Sequence, residues 1–210
     1  MNKNIKSIAL MTALLLNILC GCSKAQSTAS EKGEMLKDKN VLIVYLSRTK
    51  NTKAIAEMIH KNVGGTLASL ELKTPYPEDY KAIVDQVAKE NETGYLPPLA
   101  TQIDNMEKYD IIFLGFPTWG MQLPPPVKSF LKQYNFKGKT LVPFNTNAGY
   151  GIGSSFDTVR DLSPGGHILE GYTTKGGIER DGVLFVIQGT KEKQVQVEIT
   201  TWLKKLKMII

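Results

Sequence analysis

The feature that most constrains this chain is a polar segment, Ser47-Arg48-Thr49-Lys50-Asn51-Thr52, set between two apolar patterns of different period. Before it, Val41-Leu42-Ile43-Val44-Tyr45-Leu46 is too short for a helix and rich in β-branched residues, which predicts a strand buried within a parallel sheet. After it, Ile55, Met58, Ile59 and Val63 recur at the i, i+3, i+4, i+8 spacing of an amphipathic helix. A turn joining such a strand to such a helix aims unpaired N–H groups and the positive end of the helix dipole at one point, where an anion is stabilised. Hydroxyls at 47, 49 and 52 and the Asn51 amide add donors without any glycine. The plainer alternative is a polar turn in which Thr52 or Asn51 merely caps the helix.

The same alternation continues along the chain. Thr66 to Leu72 reads as a second strand, Pro75-Tyr76-Pro77 as a break, and Tyr80, Ile83, Val84 and Val87 as a helix face. Ile111 to Leu114 and Thr140 to Asn145 are further strands, separated by a helix carrying Val127, Phe130, Leu131 and Tyr134. Phe156 and Val159 mark a fourth helix, His167 to Glu170 a fifth strand, and Ile199, Trp202, Leu203 and Leu206 a last helix. This predicts an α/β fold, a doubly wound five-stranded parallel sheet with helices on both faces. Ile178 to Gly189 does not fit, since its Asp181-Gly182 turn signal and the apolar run Val183 to Ile187 suggest an added hairpin or edge strand before the last helix.

In such sheets ligands bind outside the carboxyl ends of the strands. Two more loops fall there. Gly115-Phe116-Pro117-Thr118-Trp119-Gly120-Met121 offers a flat aromatic for offset stacking beside a glycine open to unusual backbone conformations. It leads into Pro124-Pro125-Pro126, of which Pro126 suits the first turn of a helix. Asn145 to Ser155 is polar and rich in glycine.

Ser-x-Thr-x-Asn-Thr after a first strand resembles the FMN-phosphate loop of the flavodoxins. The resemblance implies that Ser47, Arg48, Thr49, Asn51 and Thr52 hold the phosphate of a noncovalent FMN without a metal. It further implies that Trp119, within Pro117-Thr118-Trp119-Gly120, stacks on the isoalloxazine, and that the Gly120 peptide reorients on reduction. Thr146, Asn147, Ala148, Gly149, Tyr150 and Gly151 would cradle the pyrimidine end, with Tyr150 either a second stacking ring or a solvent-facing tyrosine. The implied function is electron transfer with redox protein partners, the protein tuning the flavin. The chain departs from the family in being basic where flavodoxins are acidic, and in carrying Met121 directly after Gly120. An NAD(P)H- or quinone-reducing flavoprotein on the same fold is the enzymatic rival, and a cofactor-free binding module the third reading.

The first residues read as an address and a tether. Lys3 and Lys6 precede an apolar stretch, Ile8 to Leu19, of signal-peptide length and too short to span a bilayer. Leu19-Cys20-Gly21-Cys22 resembles a bacterial lipobox with Cys22 as the lipid-accepting residue; Cys20 fits less well, with Asn17 and Leu19 at the flanking positions. The expected organisation is therefore a lipoprotein signal peptide over 1–21, a flexible tether over 22–39 and an FMN-binding domain over 40–210, lipid-anchored to a bacterial envelope membrane outside the cytoplasm.

Both cysteines lie in this leader region, so a chain processed at Cys22 has no thiol left for a disulfide, a nucleophile or a metal site. His60 and His167 are too few for a histidine-rich metal cluster. The formal charge of +6 includes Lys3 and Lys6, whose removal leaves a mildly basic +4 spread along the chain, which reads as a solvated surface and not a nucleic-acid patch.

Overall fold

The computed structural model describes residues 32–210; the expected signal peptide over 1–21 and the expected lipid-accepting Cys22 lie outside the described residues. Five parallel strands in the order β2-β1-β3-β4-β5 form the sheet: β1 (Val41–Tyr45), β2 (Thr66–Ser69), β3 (Ile111–Pro117), β4 (Thr140–Asn147) and β5 (His167–Ile168). A sixth, β6 (Tyr172–Lys175), also pairs with β4 in parallel. The helices between them are α1 (Asn51–Val63), α2 (Tyr80–Thr93), α3 (Pro125–Gln133), α4 (Ser155–Asp161) and α5 (Gly189–Lys205). Pro125 and Pro126 open α3, where a missing N–H costs nothing.

Strand alternation divides the apolar residues between two cores. Val41, Ile43 and Tyr45 of β1 pack with Phe113 and Phe144 under α1 and α5. Leu42, Val44 and Leu46 face the other way, toward Phe116, Val127 and Phe130 beside α3. Burial of each such side chain contributes about 1.5–3 kcal/mol, which holds the central strands and fixes where their carboxyl ends emerge. Gly115 makes one close packing possible: a Cβ there would stand 2.2 Å from the Phe144 ring.

β5 and β6 are one edge strand broken by a bulge. Leu141 pairs with Ile168 but Phe144 pairs with Tyr172, so the edge gains one residue on β4. The break lies opposite Pro143, which has no N–H to offer a ladder. The fifth strand thus runs past the expected Glu170 and delivers Gly176 and Gly177 to the carboxyl edge of the sheet.

Three stretches differ from the sequence expectation. The apolar run Val183 to Ile187 joins no sheet; the hairpin there is a single antiparallel bridge between Ile178 and Val183, and the sheet's additional strand is β6. The second strand ends at Ser69 instead of Leu72. The domain also begins before residue 40: Gly33 N–H donates to the Met208 carbonyl at 2.8 Å, and Leu36 is fully buried in the α1/α5 core. Two adjacent apolar residues, Met35 and Leu36, in a polar stretch give too weak a pattern to reveal that docking.

α2 stands apart from both cores. Asp79 caps it by accepting the Ala82 N–H at 2.7 Å. Its buried Ile83 and Val87 belong to neither apolar cluster, and both line a cleft between α2 and the carboxyl edge of the sheet.

Candidate functional site

The cleft has a volume of about 520 Å³, within the range of small-molecule sites. It lies beside β1 and β3, where the strand order reverses, the point at which doubly wound sheets bind their ligands. Arg48, Thr49, Asn51 and Thr52 line one end.

In the loop from Ser47 to Thr52, Lys50 takes a left-handed conformation (φ +66°) and turns the chain into α1. The backbone N–H groups of Arg48, Thr49, Lys50, Asn51 and Thr52 have no acceptor among the described residues. Such first-turn amides point out of the helix end and bring the positive pole of its dipole with them. The Ser47 hydroxyl oxygen accepts the Lys53 N–H at 3.1 Å, and the Thr49 hydroxyl oxygen accepts the Asn51 amide at 2.9 Å. Each hydroxyl keeps its own proton to donate. Five consecutive amides with two hydroxyl donors fit a phosphate.

The other side chains of this loop hold the frame of the cleft. Asn51, 2 % exposed, donates to the Leu184 carbonyl at 2.7 Å and accepts the N–H groups of Val186 and Ile187 at 3.0 and 3.3 Å. This is where the apolar run before α5 is fastened. Thr52 and Thr146 share a buried hydroxyl hydrogen bond of 2.8 Å, which joins α1 to the end of β4. The Arg48 guanidinium donates to Glu179 at 2.5 Å and to the carbonyls of Pro77 and Glu78, so its charge is taken up within the protein.

Pro117, Thr118, Trp119 and Gly120 form the middle of the cleft. Trp119 and Gln122 exchange two backbone hydrogen bonds around Gly120 (φ +56°) and Met121 (φ +60°), a tight hairpin of the type that needs both central residues left-handed. The Met121 carbonyl accepts the Ser154 N–H at 3.0 Å, anchoring the hairpin to the loop after β4. The Trp119 ring is half-buried and meets Tyr76 edge to face at a centroid distance of 5.6 Å. Tyr76 donates to the buried Glu90 at 2.5 Å, and burial, then that carboxylate, pushes the phenol well above its ordinary pKa. The sequence reading did not include this support for Trp119.

Thr146, Asn147 and Ala148 reach the cleft, with Gly176 and Gly177 alongside. The fully buried Asn145 ties three loops together: its amide donates to the Phe116 carbonyl and to Thr118, each at 3.0 Å, and its oxygen accepts from Thr173 at 3.2 Å. Asn147 accepts the N–H groups of Gly149 and Gly151 at 2.8 and 3.2 Å and so shapes the glycine loop. Gly151 serves through its carbonyl, which accepts the Thr118 hydroxyl at 3.1 Å. Tyr150 is 66 % exposed and does not line the cleft; its hydroxyl lies against Arg180, whose pKa is raised first by Asp181 and then by Tyr150. Gly149 likewise lies outside the lining.

Sequence reasoning missed the wall facing these loops. Tyr80, Ile83, Val84, Val87 and Ala88 of α2 present one stripe to the cleft, ending at Asn91 and Glu92. Val84 is 45 % exposed and Tyr80 40 %, an apolar stripe at the periodicity of a core face that finds no core to pack on. Its helical pattern was legible; what it faces was not.

The flavodoxin family model matches residues 40–188. No curated protein matches the sequence. Among solved structures, the chain is similar to a protein of Bacteroides eggerthii DSM 20697 assigned as a flavoprotein, at 26% identity over 80% of this chain and 97% of that one, with a TM-score of 0.64. A Bacteroides uniformis ATCC 8492 protein assigned likewise shares 22% identity over 79% of this chain and 98% of that one, also at 0.64. A flavoprotein of Lactobacillus acidophilus NCFM, solved in complex with FMN, shares 21% identity over 69% of this chain and 98% of that one, at a TM-score of 0.56.

Proposed function

The chain belongs to the flavodoxin family, and from that premise we propose that it is an FMN-binding electron-transfer protein, tethered through Cys22 to a membrane of the bacterial envelope. The observation that carries the flavin reading is the run of five unpartnered amides from Arg48 to Thr52 at the start of α1, opening into a cleft that contains Trp119. The FMN complex of the Lactobacillus acidophilus protein, on the same fold, supports the choice of cofactor.

When bound, FMN supplies the redox chemistry, accepting and giving up electrons one or two at a time. The protein's part is binding and orientation. The amides of 48–52 and the hydroxyls of Ser47 and Thr49 would hold the phosphate as a dianion, each charge-assisted bond contributing about 1.5–3 kcal/mol. Trp119, braced by Tyr76 and Glu90, offers a ring face for stacking. The hairpin at Gly120 and Met121 and the loop shaped by Asn145 and Asn147 would offer backbone donors and acceptors to the flavin.

The absorption spectrum of the purified chain, followed by a reductive titration, tests this reading. A flavin spectrum with a separately resolved first electron is expected; a colourless protein with no affinity for FMN would overturn it. Steady-state assays with NADH, NADPH and a quinone separate a carrier from the reductase on the same fold.

A further inference from the structure

The wall formed by α2 has a chemistry of its own. The loops suited to FMN all rise from the carboxyl edge of the sheet, at 47–52, 117–120 and 146–148. The stripe on α2 faces them from across the cleft and runs from Tyr80 to Glu92, about 18 Å at the α-helical rise. Its members are apolar until the last turn, where Asn91 reaches the cleft opposite Gln122 of the Trp119 hairpin.

These two carboxamides are set by one cation. The Lys128 ammonium, on α3, donates to the Asn91 oxygen at 2.8 Å and to the Gln122 oxygen at 3.4 Å, and no carboxylate pairs with it among the described residues. With both oxygens held, each amide NH2 is left as a donor, and neither has an acceptor among the described residues. An apolar slot therefore ends in two oriented N–H donors. The carboxylate of Glu92 at the same end disfavours an anion, and Lys128 is already engaged between amide oxygens. A neutral ligand with carbonyl oxygens satisfies the donors and covers the stripe.

We propose that the α2 side of the cleft is a second ligand site, which takes a flat, uncharged carbonyl compound of the quinone class beside the flavin. The site is built from Val84, Ala88, Asn91 and Gln122, with Lys128 as the residue that orients the amides. The inference rests on the flavin reading only for what occupies the opposite wall.

Equilibrium dialysis of 2-methyl-1,4-naphthoquinone against the oxidised, FMN-loaded full chain tests it, since an oxidised flavin has no electrons to give and only binding is read. Saturable binding at one site per chain is expected. Ala88→Trp, at an exposed helix position, fills the slot, and Asn91→Leu removes a donor at similar volume. Each should weaken the naphthoquinone by about tenfold, equivalent to about 1.4 kcal/mol, while FMN affinity stays within about twofold. No saturable binding to the unaltered loaded chain, or a loss of FMN affinity in Ala88→Trp matching the loss of probe, would overturn the second site. A chain that fails to take up FMN would sink the flavin reading alone; probe binding to the flavin-free chain, lost in Ala88→Trp, would then uphold the α2 site, and its absence would overturn it.

Discussion

At position 49 one hydroxyl does two things: it accepts a hydrogen bond from Asn51 and keeps its own proton for a ligand. Thr49→Glu should therefore place a carboxylate where the loop is built to donate, and FMN affinity should fall more than tenfold, by on the order of 1.5–3 kcal/mol or more. Riboflavin, without the phosphate, should be much less affected; equal losses in fluorescence titrations of both ligands would show that Thr49 does not face the phosphate. Two residues on, the Asn51 side chain reaches across the chain to residues 184–187. Asn51→Ala removes the partner of the Leu184 carbonyl and of the Val186 and Ile187 N–H groups; Ile187 is 1 % exposed, and a buried group left unpaired costs about 1–3 kcal/mol. A loss on the order of 2–3 kcal/mol in urea unfolding is expected, together with faster proteolysis within 178–188. Unchanged stability and cleavage would mean that the segment is held by its apolar contacts alone.

Among the elements, the Trp119–Gln122 hairpin is the most constrained, because two adjacent left-handed residues must coexist and one of them is methionine. Gly120 and Gly153 both have positive φ but stand in different surroundings. A Cβ at Gly120 meets nothing within 4 Å, whereas one at Gly153 would sit 2.0 Å from the Met121 carbonyl oxygen that anchors the hairpin. Gly120→Ala should cost about 1–2 kcal/mol through backbone strain alone. Gly153→Ala should cost more and should also weaken FMN, since the anchor must move. Denaturation curves and FMN titrations of the two variants decide it, and a Gly153→Ala protein as stable as Gly120→Ala would show that the anchor yields freely. α2 is the other distinctive element: a helix capped by Asp79 and held apart from the sheet's cores leaves the cleft that a closely packed helix would have filled.

For the whole molecule, the two poles of the sheet have different roles. The described chain enters at the amino end of β1, where Lys32 bridges to Ile209 and Gly33 bonds to Met208, while the cleft opens at the carboxyl ends. An anchor at Cys22 would thus attach to the pole opposite the cleft and leave the cleft open to soluble partners. Several acyl chains bind a bilayer firmly where one binds marginally. Cys22→Ala is expected to move the protein from the membrane to the soluble fraction on centrifugation, with unfolding and FMN affinity unchanged. A variant that stays with the membrane would show that something other than Cys22 holds it there.

The sheet, its helices and the three loops at its carboxyl edge were legible in the order of residues, because apolar period and strand length are local properties that burial turns directly into elements. The unpartnered amides of the 47–52 loop were legible too, since a strand feeding a helix exposes first-turn amides whatever the side chains do. What the loop's side chains do was set by packing. Asn51 points to a segment more than 130 residues away, Arg48 to Glu179, and Tyr150 outward, and none of these partners lies within a repeat of the local pattern. The bulge opposite Pro143, the docking of Leu36 and the stand-off of α2 likewise depend on which surfaces meet after collapse. An amphipathic stripe records that a helix has an apolar face; whether that face meets a core or an open cleft is set by the packing of everything else.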